Sequence, residues 1–299
     1  MSAITTIVVA GSGVLGAQIA FQSAFHGKTV RVYDISDAAI DALDAKWQGL
    51  ATVYARDLGA TKEQTDAAIA RLTGTTDLAQ AAQGAQLVIE AVTEILSVKR
   101  DFFARLAEVA DAGTIFATNS STLAPSAIAD ATGRPDRFLA LHFAYDIWLR
   151  NIGEVMGHPG TDPAVFEQVV AFARSIGLVP LILHKEQPAY IFNTLLVPWL
   201  QSALGLVANG VATFEDVDRT WMIAQQAEYG PFATLDMIGL RTPFNIVTAQ
   251  AERGEPNAAA VAAWLKRDFI DQNRLGVETG HGFYHYPDPA YRDPSFLKP

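Results

Sequence analysis

Thr5-Thr6-Ile7-Val8-Val9-Ala10 is a short β-branched run that passes directly into Gly11-Ser12-Gly13-Val14-Leu15-Gly16 and then into an Ala-rich segment, Leu15 to His26. Apolar β-branched residues favour a buried strand, and the Ala-rich segment favours a helix, so the glycines sit on a strand-to-helix turn. That placement gives each glycine a mechanical reading. Gly11 makes the tight turn, Gly13 lets backbone approach a pyrophosphate, and Gly16 lets the helix pack closely on its strand. The helix N-terminus, at Val14 and Leu15, then offers unpaired N–H groups to phosphate oxygens. The next strand-like run, Thr29 to Asp34, ends in a carboxylate 18 residues beyond Gly16. An acid there accepts hydrogen bonds from ribose hydroxyls and repels a 2′-phosphate, so the expected cofactor is NAD rather than NADP.

Further strand-like runs follow at Gln86–Val92, Thr114–Thr118, Phe138–Phe143 and Leu178–His184, separated by helical stretches such as Val98–Ala110. Strand-helix alternation of this kind predicts a mostly parallel, doubly wound α/β sheet of the Rossmann type. Residues 38–71 read as a helical hairpin projecting from that sheet. From Pro188 onward strand runs disappear, and Tyr190–Asn209, Phe214–Gln225, Thr242–Glu252 and Asn257–Gln272 read as helices, with Pro188 suited to a first helical turn. The expected organisation is a Rossmann-type domain over 1–185 and an all-α domain over 186–299. The proline-rich ending from Tyr286 reads as a frayed tail.

Composition narrows the function. The 299 residues carry a net charge of −10 with only 22 Lys plus Arg, which makes nucleic acid an improbable partner. There is no cysteine, so disulfides, thiolate metal sites and cysteine nucleophiles are excluded, and no metal is expected. The apolar tract Thr194–Ala212 is broken by Pro198, Gln201, Ser202 and Asn209, which reads as a buried helix and not a membrane span. With no basic leader at the N-terminus, the reading is a cytoplasmic globular protein.

Six histidines are candidates for proton transfer. His26 ends a helix, where a cation would complement the dipole. His281 and His285 lie in the tail, and His158 and His184 near strand or loop ends. His142 closes the apolar strand Phe138–Phe143 at the sheet edge where α/β proteins place ligands. Twelve residues on, Glu154 begins the strand-like Gly153–Met156, where a carboxylate could fix the imidazole in one tautomer and stabilise its protonated form. Spacing alone still favours a satisfied core histidine.

Seven segments, in order, give the chain a resemblance to the L-3-hydroxyacyl-CoA dehydrogenase family, which includes 3-hydroxybutyryl-CoA dehydrogenases. They are the Gly11–Gly16 loop; Glu90-Ala91-Val92-Thr93-Glu94 with Lys99; Thr118-Asn119-Ser120-Ser121-Thr122-Leu123; and Leu141-His142-Phe143 with Glu154-Val155. Then come Tyr190-Ile191-Phe192-Asn193 with Leu195–Pro198, Gly230-Pro231-Phe232 with Leu235-Asp236 and Gly239, and Thr279-Gly280-His281-Gly282-Phe283-Tyr284. The resemblance implies that His142 moves the proton and Glu154 partners it. It implies that Ser121 and Asn193 bond the substrate's 3-oxygen, that Glu94 and Lys99 lie near the nicotinamide and its ribose, and that Asn119 sits beside the ring. It further implies an acyl-CoA substrate lodged between domains and a homodimer formed through the helical domain.

The chain also departs from that pattern. Phe143-Ala144-Tyr145 stands where the family has Phe-Asn-Pro, Pro188-Ala189 where it has Pro-Gly, and Thr194 where Arg follows the asparagine. The hairpin, lysine-rich in the acyl-CoA enzymes, offers Lys46, Arg56, Lys62 and Arg71 against Asp41, Asp44, Asp57, Glu63 and Asp66. Arg56 and Lys62 are the expected CoA contacts. Two alternatives stay open: a same-fold dehydrogenase of a free 3-hydroxy acid, of the carnitine or gulonate type, and a catalytically retired NAD-binding protein like the related crystallins.

Overall fold

The computed structural model describes residues 3–298. They form two compact units that divide between Asn193 and Thr194, eight residues past the boundary expected from the sequence. The first unit holds strands β1 (Thr6–Ala10), β2 (Thr29–Tyr33), β3 (Leu72–Thr75), β4 (Leu87–Glu90), β5 (Ile115–Thr118), β6 (Phe138–Phe143), β7 (Ile152–Met156) and β8 (Val179–Leu183). Around them lie helices α1 (Val14–Phe25), α2 (Asp37–Asp41), α3 (Leu43–Leu58), α4 (Lys62–Ile69), α5 (Leu78–Ala82), α6 (Leu96–Val109) and α7 (Pro163–Ser175). One eight-stranded sheet runs in the order β3-β2-β1-β4-β5-β6-β7-β8. Every neighbouring pair is parallel except β6 with β7.

Strand order reverses between β1 and β4, and in such sheets ligands bind beyond the carboxyl ends of the strands at that switch. β1, β4, β5 and β6 are buried nearly throughout, as a sheet covered on both faces requires. β3 is an edge strand that sequence reading misses. Its Leu-Thr-Gly-Thr is short, half-exposed and weak in strand formers.

The hairpin consists of α3 and α4, and its base does not stand clear of the sheet layer. Leu43, Trp47, Tyr54 and Ala68 are buried in the same core as α1. The Tyr54 ring meets Phe21, Phe25 and Trp148 at centroid separations of 4.8, 5.1 and 5.4 Å. Its hydroxyl donates to Gln22.

The second unit is helical: α8 (Phe192–Ala208, entering from the first unit), α9 (Phe214–Gln225), α10 (Pro231–Ile238), α11 (Arg241–Glu252) and α12 (Ala258–Leu265). Pro188 is not the first turn of α8, which begins four residues later. The ending is not a frayed tail either. Tyr291 and Phe296 are buried in the helical core, and Arg219 donates to the Phe296 carbonyl at 2.7 Å. Two buried carboxylates organise this clasp. Asp218 accepts from the Phe232 and Ala233 amides and the Tyr284 hydroxyl. Asp236 accepts from the Phe283 and Tyr284 amides and the Tyr286 hydroxyl. A Cβ at Gly282 would lie 2.0 Å from Asp236 Oδ1, so the glycine of Thr279–Tyr284 is a steric requirement. No helix among the described residues is long and apolar enough to cross a membrane.

Candidate active site

β6 and β7 pair antiparallel in a register that sets His142 opposite Glu154. Directly opposed residues share one face of the sheet, so the two side chains meet without a long reach. Glu154 Oε2 lies 2.9 Å from His142 Nδ1. The carboxylate is fully buried. Burial alone would raise its pKa, but the imidazole and the Ile191 and Phe192 amides outweigh burial and hold it below the usual carboxylate range. Those amides donate to Oε1, each at 2.9 Å, so both oxygens are used. An ionised carboxylate only accepts, so Nδ1 carries a hydrogen and Nε2 is the nitrogen free to exchange a proton. Nε2 lies 3.2 Å from Ser121 Oγ. Tyr190, fully buried, stacks on the imidazole at 4.4 Å and 16°.

A second network, anchored on the buried Glu90 and Lys99, leads to the same serine. Lys99 is 1% exposed, and its ammonium lies 2.6 Å from Glu90 and 3.0 Å from Glu94. Lys99 is thus buried, while Glu94 keeps part of its side chain exposed. Glu90 also accepts from the Val92 amide and the Thr118 hydroxyl. Glu94 Oε1 accepts from Ser120 Oγ at 2.5 Å, from the Ser121 and Thr122 amides at 3.0 and 3.1 Å, and from Thr122 Oγ1 at 2.9 Å. Burial opposes ionisation of Glu94, but Ser120 and Lys99 prevail and its pKa is lowered. Ser120–Thr122 therefore do not cap a following helix. They form a turn held by Glu94, with Ser121 turned toward His142. Glu90 is a residue that sequence reading did not single out, although it opens the quoted Glu90–Glu94 segment. Asn119 accepts from the Phe143 amide at 3.0 Å, tying the end of β5 to that of β6. Asn193 lies in the first turn of α8, and no hydrogen bond links it to His142 or Glu154.

At the switch point, the glycine loop has the shape a dinucleotide requires. A Cβ on Gly11 would lie 2.4 Å from the Ala91 carbonyl, and one on Gly16 would lie 2.0 Å from the Gly11 carbonyl. A Cβ on Gly13 would meet nothing within 4 Å, which leaves that backbone open to a ligand. Gly13 also begins α1 without a capping side chain, so the Val14, Leu15 and Gly16 amides stay available to an anion. Asp34 follows β2, and its Oδ2 accepts from the Ser12 amide and hydroxyl at 2.9 and 2.6 Å. Partial burial opposes its charge, but these bonds and those from Ser36 and Ile35 keep its pKa low. These residues fit a dinucleotide with free ribose hydroxyls.

Two family models cover almost the whole chain: 3-hydroxyacyl-CoA dehydrogenase, NAD binding domain, over residues 6–187, and 3-hydroxyacyl-CoA dehydrogenase, C-terminal domain, over residues 190–286. The chain belongs to the 3-hydroxyacyl-CoA dehydrogenase family. It is an NAD-dependent oxidoreductase of that family, and its cofactor is NAD. The human mitochondrial hydroxyacyl-coenzyme A dehydrogenase is 34% identical over 288 residues, covering 94% of this chain and 90% of the human protein. The 3-hydroxybutyryl-CoA dehydrogenase of Clostridioides difficile is 31% identical, covering 94% and 99%. Among solved structures, a diketoreductase that acts on dicarbonyl compounds is 49% identical with a TM-score of 0.91, covering 96% of this chain and 100% of its own.

The family member described here departs from a CoA-binding expectation at its hairpin. Arg56 pairs with its neighbour Asp57, and Lys62 with Asp66, both cations being largely exposed. Arg71 donates to the Ala67 carbonyl, and Lys46 to the Ser12 carbonyl of the glycine loop at 2.6 Å. The expected CoA contacts Arg56 and Lys62 are each matched by a neighbouring carboxylate. His26 also departs from expectation. Burial and the neighbouring Lys28 lower its pKa, which disfavours the dipole-complementing cation.

Proposed function

We propose that this enzyme transfers hydride between NAD(H) and C3 of a 3-oxo/3-hydroxy acyl compound, and that it recognises the 1,3-dicarbonyl unit more than the CoA carrier. The observation that carries the reading is the line Ser121–His142–Glu154, in which His142 and Glu154 are buried and Nε2 faces a hydroxyl-bearing turn. NAD, when bound, would supply the hydride-transfer chemistry. His142 Nε2 takes the substrate's hydroxyl proton in oxidation and returns it in reduction. Glu154 holds the Nδ1 hydrogen in place and stabilises the imidazolium by its charge. Ser121 and Asn193 donate to the 3-oxygen, and Asn119 fixes the end of β5 beside the ring. Glu94 and Lys99 shape the nicotinamide-ribose end, and Gly11, Gly13, Val14, Leu15, Gly16 and Asp34 hold the dinucleotide.

Two observations support the wider substrate range: the self-paired hairpin cations, and the similarity to a diketoreductase acting on dicarbonyl compounds. A 3-oxoacyl thioester is itself a 1,3-dicarbonyl, so this reading includes acetoacetyl-CoA without requiring the nucleotide to be held. The test is NADH oxidation with acetoacetyl-CoA, its truncated thioester, an acetoacetate ester and the free acid. Catalytic efficiencies within about tenfold across the first three support the reading. A loss of several hundredfold on truncating CoA would overturn it in favour of a dedicated acyl-CoA enzyme.

We further propose a homodimer through the helical unit, where Leu195, Val211 and Ile223 are 69, 67 and 56% exposed. A monomeric mass by light scattering at micromolar concentration would refute it.

A further inference from the structure

Between Pro188 and the start of α8, two consecutive residues carry positive φ: Ala189 at 67° and Tyr190 at 56°. Neither is Gly or Asn, and side chains with a Cβ disfavour this left-handed region. A backbone outlier of this kind persists only when its surroundings over-determine it. Here the surroundings are the proton-transfer pair itself. The left-handed turn swings the Tyr190 ring inward, where it is fully buried with Ala140, Met156 and Leu183 and lies flat on His142. It also presents the next two amides, Ile191 and Phe192, to Glu154 Oε1. The Tyr190 amide is anchored to the Gln187 carbonyl at 3.0 Å, and the Gln187 amide to Met156 Sδ at 3.1 Å, so the turn is fixed to β7 as well.

One turn thus acts on both members of the pair. We propose that Tyr190 is a positioning residue for His142: its ring face holds the imidazole plane in line with Glu154 and favours the protonated ring, while its backbone clamps Glu154. An aromatic face attracts a cation by its quadrupole, and a buried one does so with little competition from water. The charged groups around the pair are Glu154 from β7, Glu90 from the end of β4, and Glu94 and Lys99 beside the Ser121 turn. None of these replaces an aromatic contact with the imidazole face.

The proposal rests on His142 as the proton carrier, and the test separates the two. Tyr190→Phe, Tyr190→Leu and His142→Gln are compared with the unchanged enzyme for kcat, KM for NADH and the pH–rate profile, with melting temperature as a fold control. Tyr190→Phe keeps the ring and should leave kcat within about threefold and the profile unmoved. Tyr190→Leu should lose about tenfold or more in kcat at nearly constant KM for NADH, because the imidazole is no longer held in line. Its histidine-dependent limb should move to lower pH, since the imidazolium loses its aromatic face. Tyr190→Leu with an unchanged kcat and profile, while His142→Gln is inactive, overturns this inference alone. Turnover in His142→Gln overturns the proton-carrier reading on which it stands. If Tyr190→Leu does not fold, Tyr190→Met is read the same way. The His142 ring-proton NMR shift in Tyr190→Phe supplies a direct check, because ring-current displacement must persist there and collapse on titration with denaturant. A His142 resonance lacking that displacement in the folded enzyme also overturns the stack.

Discussion

His142 and Glu154 stand opposite one another across the only antiparallel pair in the sheet among the described residues, with Nδ1 2.9 Å from the carboxylate. Glu154 spends both oxygens, one on the imidazole and one on two amides. Glutamine offers one acceptor oxygen and an NH₂ group. Either the imidazole N–H or the two amides must then face a donor. Glu154→Gln should therefore cost about 1–3 kcal/mol of stability and lower kcat by roughly 10²-fold. The histidine-dependent acidic limb in the oxidation direction should move to lower pH, because the carboxylate charge no longer favours the imidazolium. A variant with unchanged stability and profile would mean that Glu154 is a spectator.

Asp34 sets the cofactor preference. Its carboxylate is oriented by Ser12 and kept ionised, so a 2′-phosphate placed there meets a fixed negative charge. NADH should be favoured over NADPH by about 10²-fold or more in kcat/KM, and Asp34→Ala should narrow the ratio mainly by weakening NADH binding. Equal efficiency with the two cofactors in the unchanged enzyme would contradict this assignment.

Arg56 and Lys62 each face a carboxylate neighbour at the surface. Exposed pairs of this kind contribute little, and their cations are already balanced. The double Arg56→Ala, Lys62→Ala change should leave KM for acetoacetyl-CoA within about threefold, with no change in its dependence on ionic strength. A tenfold rise in KM that salt abolishes would restore these residues as CoA contacts.

The helical unit carries its own pH signature. Burial raises the Asp218 pKa from 3.8 to about 6 against the pull of the Phe232 and Ala233 amides and the Tyr284 hydroxyl, and Asp236 is raised as well. The folded unit therefore binds a proton that the unfolded chain releases between those values. Stability is greatest below 3.8 on this account and falls as pH rises through about 6. For Asp218 alone the shift is worth on the order of 3 kcal/mol. Urea unfolding of the helical unit should show its midpoint dropping between pH 4.5 and pH 7, and Asp218→Asn should flatten that slope. A midpoint that rises over this interval in both proteins would show that the buried carboxylates are ionised at no cost.

Local chemistry made part of the site legible in the sequence. The glycine loop declares itself because three glycines occupy a strand-to-helix turn where any Cβ at Gly11 or Gly16 would collide with backbone. His142 stands out because a titrating group closes an otherwise apolar strand. Its partnership with Glu154 depends on the β6–β7 register, which no feature of Ala144–Asn151 announces. The spacing of Glu94 and Lys99 says nothing of Glu90, which reaches the Lys99 ammonium from the end of β4. The turn at Ala189-Tyr190 was invisible for a different reason. Left-handed backbone is signalled by Gly or Asn, and this chain places Ala and Tyr there. The C-terminal clasp was hidden by proline-rich composition, although Tyr291 and Phe296 are the residues that dock it.

The central claim is that His142 carries the proton and acts as a unit with Glu154. Its most direct test is the kcat for acetoacetyl ester reduction by NADH in His142→Gln, Glu154→Gln and the double variant, with NADH affinity measured by fluorescence. His142→Gln should lower kcat by roughly 10²–10⁴-fold with NADH affinity nearly unchanged, and the double variant should be little worse than His142→Gln alone. Near-normal turnover in His142→Gln would contradict the account outright, and fully additive losses would dissolve the pair.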